Sequence, residues 1–450
     1  MKVNILRQAA NQSALTYQRR VELLNSLKAV LIKDQAQIGE ALKKDLGKCS
    51  FEAWSTEIGF LTGEISDFVK DLPSLMSPEK VATPLTMQPG ASFIYKEPYG
   101  VVLVLAPWNY PVQLAFSPLI GAIAAGNRVV IKPSEMTPHC AQIIADVVSQ
   151  VFTQNEVQVV LGGVEETTQL LKEQFDYIFF TGSTAVGKVV MRAAAEHLTP
   201  VTLELGGKSP CLIDESANLA VAAKRVAWGK WMNAGQTCVA PDYVLIPKKL
   251  EASFLSEMKK AIEQFYSTTP QQSPDYGRIV NERHFDRLVK LMADAEIVCG
   301  GQHDRTERFI APTILRGVNE SHPIMQDEIF GPLLPILTYE KLDEAISFIK
   351  KRNKPLALYL FTQNKDSEKK VLESVSFGGG CINDTVIHLA NSELPFGGVG
   401  PSGMGAYHGK LSFETFSHKK AVFKQTTMVD VPVRYPPYKG KEGLLKFLIG

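Results

Sequence analysis

The chain predicts an α/β fold, and three observations carry that reading: a length and apolar content that suit large cores, a series of short β-branched runs separated by helical stretches, and glycine-containing turns where several of those runs end. With 450 residues, 45% of them hydrophobic, the chain can build one large core or two to three domains of about 100 to 200 residues each. Five β-branched runs follow one another between residues 101 and 205: VVLVLAP, RVVIKP, VQVVLG, DYIFFTG and VTLEL. Between them stand the helix-like QLAFSPLIGAIAAGN, HCAQIIADVVSQVF, EETTQLLKEQ and VGKVVMRAAA. Alternation of this kind implies a parallel sheet covered on both faces. It describes a Rossmann-like half of the molecule.

The flanking elements are justified in order. Val21, Leu24, Leu27 and Leu31, then Ile38 and Leu42, recur at helical spacing with charges between them, giving an amphipathic helical opening. Residues 82–98, ATPLTMQPGASFIYKEP, place a proline-glycine turn signal between two strand-like pieces and read as a hairpin. After LELGGKSP comes a second α/β unit: a helix ending near Trp231, DYVLIP, further helices, LALYLFT and GGGCIND. From about Thr415 the chain turns polar, then offers AVFKQTT as a strand and the proline-rich VPVRYPPYKG. No internal repeat or low-complexity segment interrupts this order.

Composition narrows the function classes. Lys plus Arg number 48 against 47 Asp plus Glu, with no run of four like charges, so nothing marks a nucleic-acid surface. The six cysteines, Cys49, Cys140, Cys211, Cys238, Cys299 and Cys381, form no CxxC pair and the eight histidines no HExxH, so neither a disulfide framework nor a metal site is expected. MKVNILRQAANQ has no apolar core behind its lysine, and a reducing, cytoplasmic compartment follows as the expectation. The apolar runs at 101–107 and 443–449 fall far below the roughly 18 residues of a membrane span, so no transmembrane anchor is expected.

Several motifs could carry chemistry. DYIFFTGSTAVGK sets Gly182 after a strand and Gly187 where a helix begins, a place where backbone amides hold phosphate. It lacks the central glycine of GxGxxG, and Val189 replaces the Ser or Thr of a P-loop, so a plain strand-to-helix turn stays open. In KPSE, Lys132 and Glu135 follow a strand where a carboxylate can accept from ribose hydroxyls, or where a solvated loop simply starts a helix. Asn109 of PWNYP could aim an amide at developing oxygen charge or merely close a turn. Glu204 in VTLELGG alternates with apolar residues; if buried, its pKa would rise toward a general base's range, and otherwise it is an exposed strand end. A lone cysteine usually packs, as Cys140 and Cys211 suit, but Cys238 in NAGQTCVAPD lies among small, polar, glycine-containing neighbours that read as an open turn. With no histidine near it in sequence, a nucleophilic Cys238 needs its thiolate favoured by backbone dipoles or a bound cation such as an oxidised nicotinamide.

Taken together, PWNYP, KPSE, FTGST, LELGGKSP, GQTC, EIFGP and PFGG, in this order from residue 107 to 398, resemble the aldehyde dehydrogenase superfamily. The likeness is closest to the class 3 aldehyde dehydrogenases through the short N-terminus, GQTCVAPDY, and SGMGAYHGKLSFETFSHKK followed by RYPP, and it covers essentially the whole chain. The resemblance implies that Cys238 attacks the aldehyde carbon, that the thiohemiacetal passes hydride to the nicotinamide, and that water activated by Glu204 hydrolyses the thioester. It implies an oxyanion hole from the Asn109 side chain and the Cys238 backbone amide. Lys132 and Glu135 would hold the adenosine ribose, Gly182 and Ser183 the pyrophosphate, and Glu328 and Phe330 the nicotinamide ribose. Trp108, Val186, Gly187 and Leu205 complete the implied cofactor contacts, while Tyr110 and Phe396 border the substrate.

The implied cofactor is NAD, with NADP tolerated, and the implied partner is a small aldehyde. The implied architecture is a Rossmann-like cofactor domain (1–81 and 99–206), an α/β catalytic domain (207–405) and a small β bridging arm with tail (82–98 and 406–450) that pairs subunits into a homodimer. Rival readings are a CoA-acylating aldehyde dehydrogenase, against which Glu204 argues, a non-catalytic protein on the same fold, and a cysteine hydrolase.

Overall fold

A computed structural model describes residues 2–430 and 432–449, apart from the side chains of Lys2, Leu444, Leu445, Leu448 and Ile449. All five expected runs form strands of one sheet, in the order Val157–Val159, Arg128–Lys132, Val101–Leu105, Tyr177–Thr181 and Val201–Glu204, every pair parallel. Val102 and Val104 enter the main core, whereas Val101, Leu103 and Leu105 enter a smaller cluster on the opposite face. Alternation of side chains along a strand requires this split. The chain builds outward from Val101–Leu105 in one direction and then returns to its other side, so the topological switch lies between Val101–Leu105 and Tyr177–Thr181. Ligands of open α/β sheets bind in the crevice at such a point.

The helix Gln113–Ala125 is buried along its whole length. Its apolar circumference suits a position between the sheet and the helices Tyr17–Lys33 and Gly59–Met76, which both pack against it. The amphipathic opening is present as well: Leu24, Leu27, Leu31, Ile38 and Leu42 are buried on Tyr17–Lys33 and Gln35–Leu46.

The second unit holds seven strands, ordered Glu296–Cys299, Thr313–Arg316, Leu333–Tyr339, Tyr243–Pro247, Pro210–Ile213, Ala357–Phe361 and Gly379–Ile382. Only the edge strand Glu296–Cys299 runs antiparallel.

A third, antiparallel sheet joins Glu79–Val81, Ala91–Pro98 and Ser417–Lys424. Three expectations are corrected here. The hairpin begins at Glu79 instead of residue 82, with a short 3-10 turn at Leu85–Met87 inside its loop. The last strand covers Ser417–Lys424 instead of 421–427, because the residues read as merely polar, His418, Lys419 and Lys420, lie exposed on a sheet that needs no apolar alternation there. Gly403–Met404, expected in the catalytic unit, pairs antiparallel with the Glu204 end of the first sheet. Gly403 makes that return possible: at φ 147° its position would put a Cβ 2.4 Å from Leu203 O.

The tail forms a helix, Glu442–Ile449, with Phe447 exposed, while the side chains of Leu444, Leu445 and Leu448 in its apolar run lie outside the described residues. Among the described residues no helix is long and apolar enough to cross a membrane.

Candidate active site

PWNYP leaves the carboxyl end of Val101–Leu105 at the switch crevice. Asn109 is 3% exposed. Its Nδ2 donates to Gln236 O at 3.0 Å, and its backbone carbonyl accepts from Asn233 Nδ2 at 2.8 Å and Lys48 Nζ at 3.1 Å. Tyr110 is buried and its hydroxyl pairs with Thr237 Oγ1 at 2.7 Å. The loop of the first sheet is thus tied to the turn that precedes Cys238.

That turn follows the helix Leu219–Trp231 and takes three successive residues through the left-handed region: Asn233 and Ala234 at φ 52° and Gly235 at 75°. A Cβ on Gly235 would lie 2.3 Å from Gly331 O, so only glycine allows this close approach. The expectation of an open turn is corrected, since Asn233, Ala234, Gln236 and Thr237 are all buried. Their polarity satisfies a buried backbone: Gln236 Nε2 donates to Asn233 O at 3.0 Å and Arg278 O at 2.9 Å, and its Oε1 accepts from Val280 N at 2.9 Å. Cys238 itself is partly exposed.

Burial raises the Cys238 thiol above its ordinary range, and the nearby carboxylates of Glu328 and Glu204 add to the effect. The backbone N–H groups of Cys238 and Val239 favour the thiolate, as anticipated, but are outweighed.

Glu204 ends the strand Val201–Glu204 and is 2% exposed. Neither carboxylate oxygen has a hydrogen-bond partner, and burial pushes its pKa well above the usual carboxylate range. Just beyond, Gly206 lies under Glu328: a Cβ there would sit 2.0 Å from Glu328 Oε2. Burial, with Asp242 nearby, raises Glu328 to about 8 against the opposing Gly207 N–H, Lys208 and Arg287. Phe330, at φ 49°, meets Trp108 edge-on at 5.1 Å, so EIFGP and PWNYP share one wall. Phe396 stacks on His408 at 5.0 Å and contacts Tyr407 at 5.9 Å; Tyr407 is within electrostatic reach of both Glu204 and Cys238. The predicted Cys238, Glu204, Asn109, Tyr110, Trp108, Glu328, Phe330 and Phe396 therefore border one region.

The remaining predicted residues lie at or beyond the carboxyl ends of strands in the same sheet. Lys132, 4% exposed, donates to Glu135 Oε2 at 3.1 Å and to Pro133 O at 3.0 Å. Ser183 caps the helix Thr184–Ala195 by accepting from Val186 N at 3.4 Å, and Val186 is exposed on the first turn. A Cβ on Gly187 would meet Leu205 Cδ2 at 2.7 Å, so glycine lets this helix lie close against the residue after Glu204. A helix N-terminus preceded by Gly182, with the exposed carboxylate of Glu135 beyond Arg128–Lys132, two strands along the same sheet, suits a diphosphate and a ribose. These residues fit a dinucleotide.

Sequence reasoning missed four polar residues. Lys48 and Glu57 are fully buried and paired at 2.5 Å. Asn233 clamps Asn109. Lys230 is fully buried, has no partner for Nζ, and is pulled down to about 8 by burial. Glu57 and Lys230 sit on helical turns and Lys48 and Asn233 on connecting turns, so no local signal marks them. A surface cavity of about 570 Å³ beside Lys48, Cys49 and Trp54 includes none of Cys238, Glu204 and Asn109, and the chemistry lies elsewhere.

Residues 5–422 match the aldehyde dehydrogenase family. The chain belongs to that family. Among its relatives, 4,4'-diaponeurosporen-aldehyde dehydrogenase of Staphylococcus aureus is 52% identical over 95% of this chain and 94% of its own length. The dimeric NADP-preferring aldehyde dehydrogenase of Rattus norvegicus is 48% identical, covering 94% of both chains. A solved structure of the substrate-bound state of Staphylococcus aureus AldH superposes with a TM-score of 0.98 at 50% identity, over 100% of this chain and 99% of that one. This aldehyde dehydrogenase is an oxidoreductase that oxidises aldehydes with NAD or NADP. Neither the CoA-acylating nor the non-catalytic alternative gains support from these likenesses.

Proposed function

We propose that this aldehyde dehydrogenase works through a covalent intermediate on Cys238. The Sγ atom forms a bond to the aldehyde carbon as its proton passes to solvent water at the partly exposed thiol, and the former carbonyl oxygen becomes an oxyanion. Asn109 has one Nδ2 hydrogen engaged with Gln236 O and a second to offer that oxygen, together with the Cys238 backbone N–H. NAD(P), when bound, supplies the acceptor for the hydride that leaves the thiohemiacetal carbon. Loss of that hydride re-forms the C=O bond as a thioester. Glu204 then takes a proton from water, whose oxygen adds to the thioester carbon, and the C–S bond breaks to release a carboxylic acid while Glu204 returns its proton to sulfur, restoring the Cys238 thiol. The observation that carries this reading is a buried carboxyl with both oxygens unpartnered, electrostatically coupled to a partly exposed thiol. Such a carboxyl suits proton transfer near neutrality.

A second reading gives Glu328 the base's role, because it is a buried carboxyl beside the same thiol, raised by burial to about 8.

The aromatic wall of Phe396, Tyr407, His408 and Phe60 supports an apolar aldehyde, aromatic or long-chain aliphatic. NAD is the cofactor we favour, with NADP tolerated: Glu135 accepts from ribose hydroxyls and repels a 2′-phosphate, although Lys132 offsets part of that repulsion and the rat relative is named NADP-preferring. The exposed strand Ser417–Lys424 pairs with Ala91–Pro98 on one side and leaves an edge that supports a homodimer built on the bridging arm. We divide the chain into cofactor, catalytic and arm units along the three sheets, and place it in a reducing, cytoplasmic setting because the nucleophile acts as a free thiol. Initial rates with benzaldehyde, hexanal and a long-chain aldehyde, each with NAD and NADP, test the reading. Reduction of NAD by at least one of them supports it, and no reduction of either cofactor would sink it.

A further inference from the structure

A buried ion pair stands behind the oxyanion donor. Lys48 and Glu57 both have fully buried side chains, with Nζ and Oε1 2.5 Å apart. Burying two charges is so costly that an apolar pair in their place is often as stable. Their partners are therefore the informative feature.

Glu57 Oε2 accepts from Val112 N at 3.0 Å and Gln113 N at 2.9 Å, at the start of the helix Gln113–Ala125, where Val112 offers no capping side chain. Lys48 Nζ donates to Asn109 O at 3.1 Å and lies 3.8 Å from the centre of the Tyr110 ring. The pair thus grips residues 109, 110, 112 and 113 in succession. Glu57 is carried on a π-helical turn, Trp54–Ile58, and Lys48 follows Gly47, whose φ of 67° ends the helix Gln35–Leu46. From the other side, Asn233 Nδ2 holds the same Asn109 carbonyl and Gln236 O takes one hydrogen of its amide.

We infer that the Lys48–Glu57 pair is a positioning element for the Asn109 amide, fixing PWNYP against the Cys238 turn so that the free Nδ2 hydrogen meets the oxyanion. The inference rests on Asn109 acting as the oxyanion donor. It separates turnover from binding, since both side chains are fully buried behind the loop.

Lys48→Met alone would strand a buried carboxylate, so the variant to measure is the neutral double substitution Lys48→Met/Glu57→Gln. Sites are counted by NAD binding, followed by intrinsic fluorescence. On the wild-type background kcat per NAD-binding site should fall about tenfold to thirtyfold, with KM and NAD affinity within about twofold, as small misplacements of reacting groups do. On an Asn109→Ala background the same double substitution should cost less than about twofold further, because nothing remains to be positioned. Equal losses on both backgrounds, or an unchanged kcat, would overturn the inference. If the double variant fails to bind NAD, Glu57→Gln, which keeps an oxygen for Val112 and Gln113, is measured in the same cycle and judged by the same two results. An Asn109→Ala enzyme with normal kcat would instead remove the oxyanion reading itself, a distinct outcome.

Discussion

Replacing Glu204 by glutamine keeps the shape of the buried side chain and removes its proton chemistry. The wild-type carboxyl lacks partners for both oxygens, and burial raises its pKa well above the ordinary 4.5. Between that ordinary value and the raised one, the folded protein holds a proton that the unfolded chain releases. The sign follows: the wild type is favoured below the unfolded pKa and loses stability as pH climbs toward the folded one, by up to about 1.4 kcal/mol per pH unit from this group. Glu204→Gln lacks this loss, so its unfolding midpoint should rise relative to wild type as the pH climbs above the ordinary carboxylate value of 4.5. In catalysis, a general base contributes about 10²- to 10⁴-fold, and the steady rate should fall by that factor while hydride transfer in the first turnover persists. Rapid mixing with aldehyde and NAD should show a burst of NADH close to the site concentration, then a slow phase. A wild-type steady rate would refute the assignment and direct attention to Glu328. A missing burst would mean that Glu204 acts earlier, on the thiol.

Other expectations follow from individual contacts. Gly206→Ala puts a Cβ 2.0 Å from Glu328 Oε2, and by displacing that carboxylate should lower kcat/KM at least about tenfold; unchanged kinetics would remove Glu328 from the site. Glu135→Gln removes the charge opposing a 2′-phosphate while Lys132 remains, so the ratio of NADP to NAD in kcat/KM should rise, and an unaltered ratio would contradict the ribose assignment. Deleting residues 440–450, which removes the exposed Phe447, should reduce the dimer fraction in light scattering. Vesicle co-sedimentation of the full chain that vanishes with this deletion would favour membrane contact instead.

The five parallel strands of the first sheet were legible because a strand buried on both faces is centred on continuous apolar residues, as VVLVL and the VVI of RVVIK are. Glu204 was legible as a carboxylate at the end of such a strand, but the sequence left burial and exposure both open, and the structure buries it. The setting of Cys238 was misread, since polar residues that line a turn look the same in sequence whether they face water or satisfy a buried backbone, as Gln236 does. Lys48 and Glu57 were invisible, because their meaning depends on Asn109, Val112 and Gln113, more than 50 residues away. The limits of Ser417–Lys424 escaped for want of a buried face to impose alternation.

The central claim is a covalent acyl intermediate on Cys238, and its most direct test is mass spectrometry of the Glu204→Gln enzyme quenched during turnover. Digestion should yield the peptide containing Cys238 carrying the mass of the acyl group, in proportion to the NADH burst. Cys238→Ala, which still binds NAD, should give neither adduct nor burst. NADH formation by Cys238→Ala, or an acyl mass on another cysteine in step with the burst, would contradict the account.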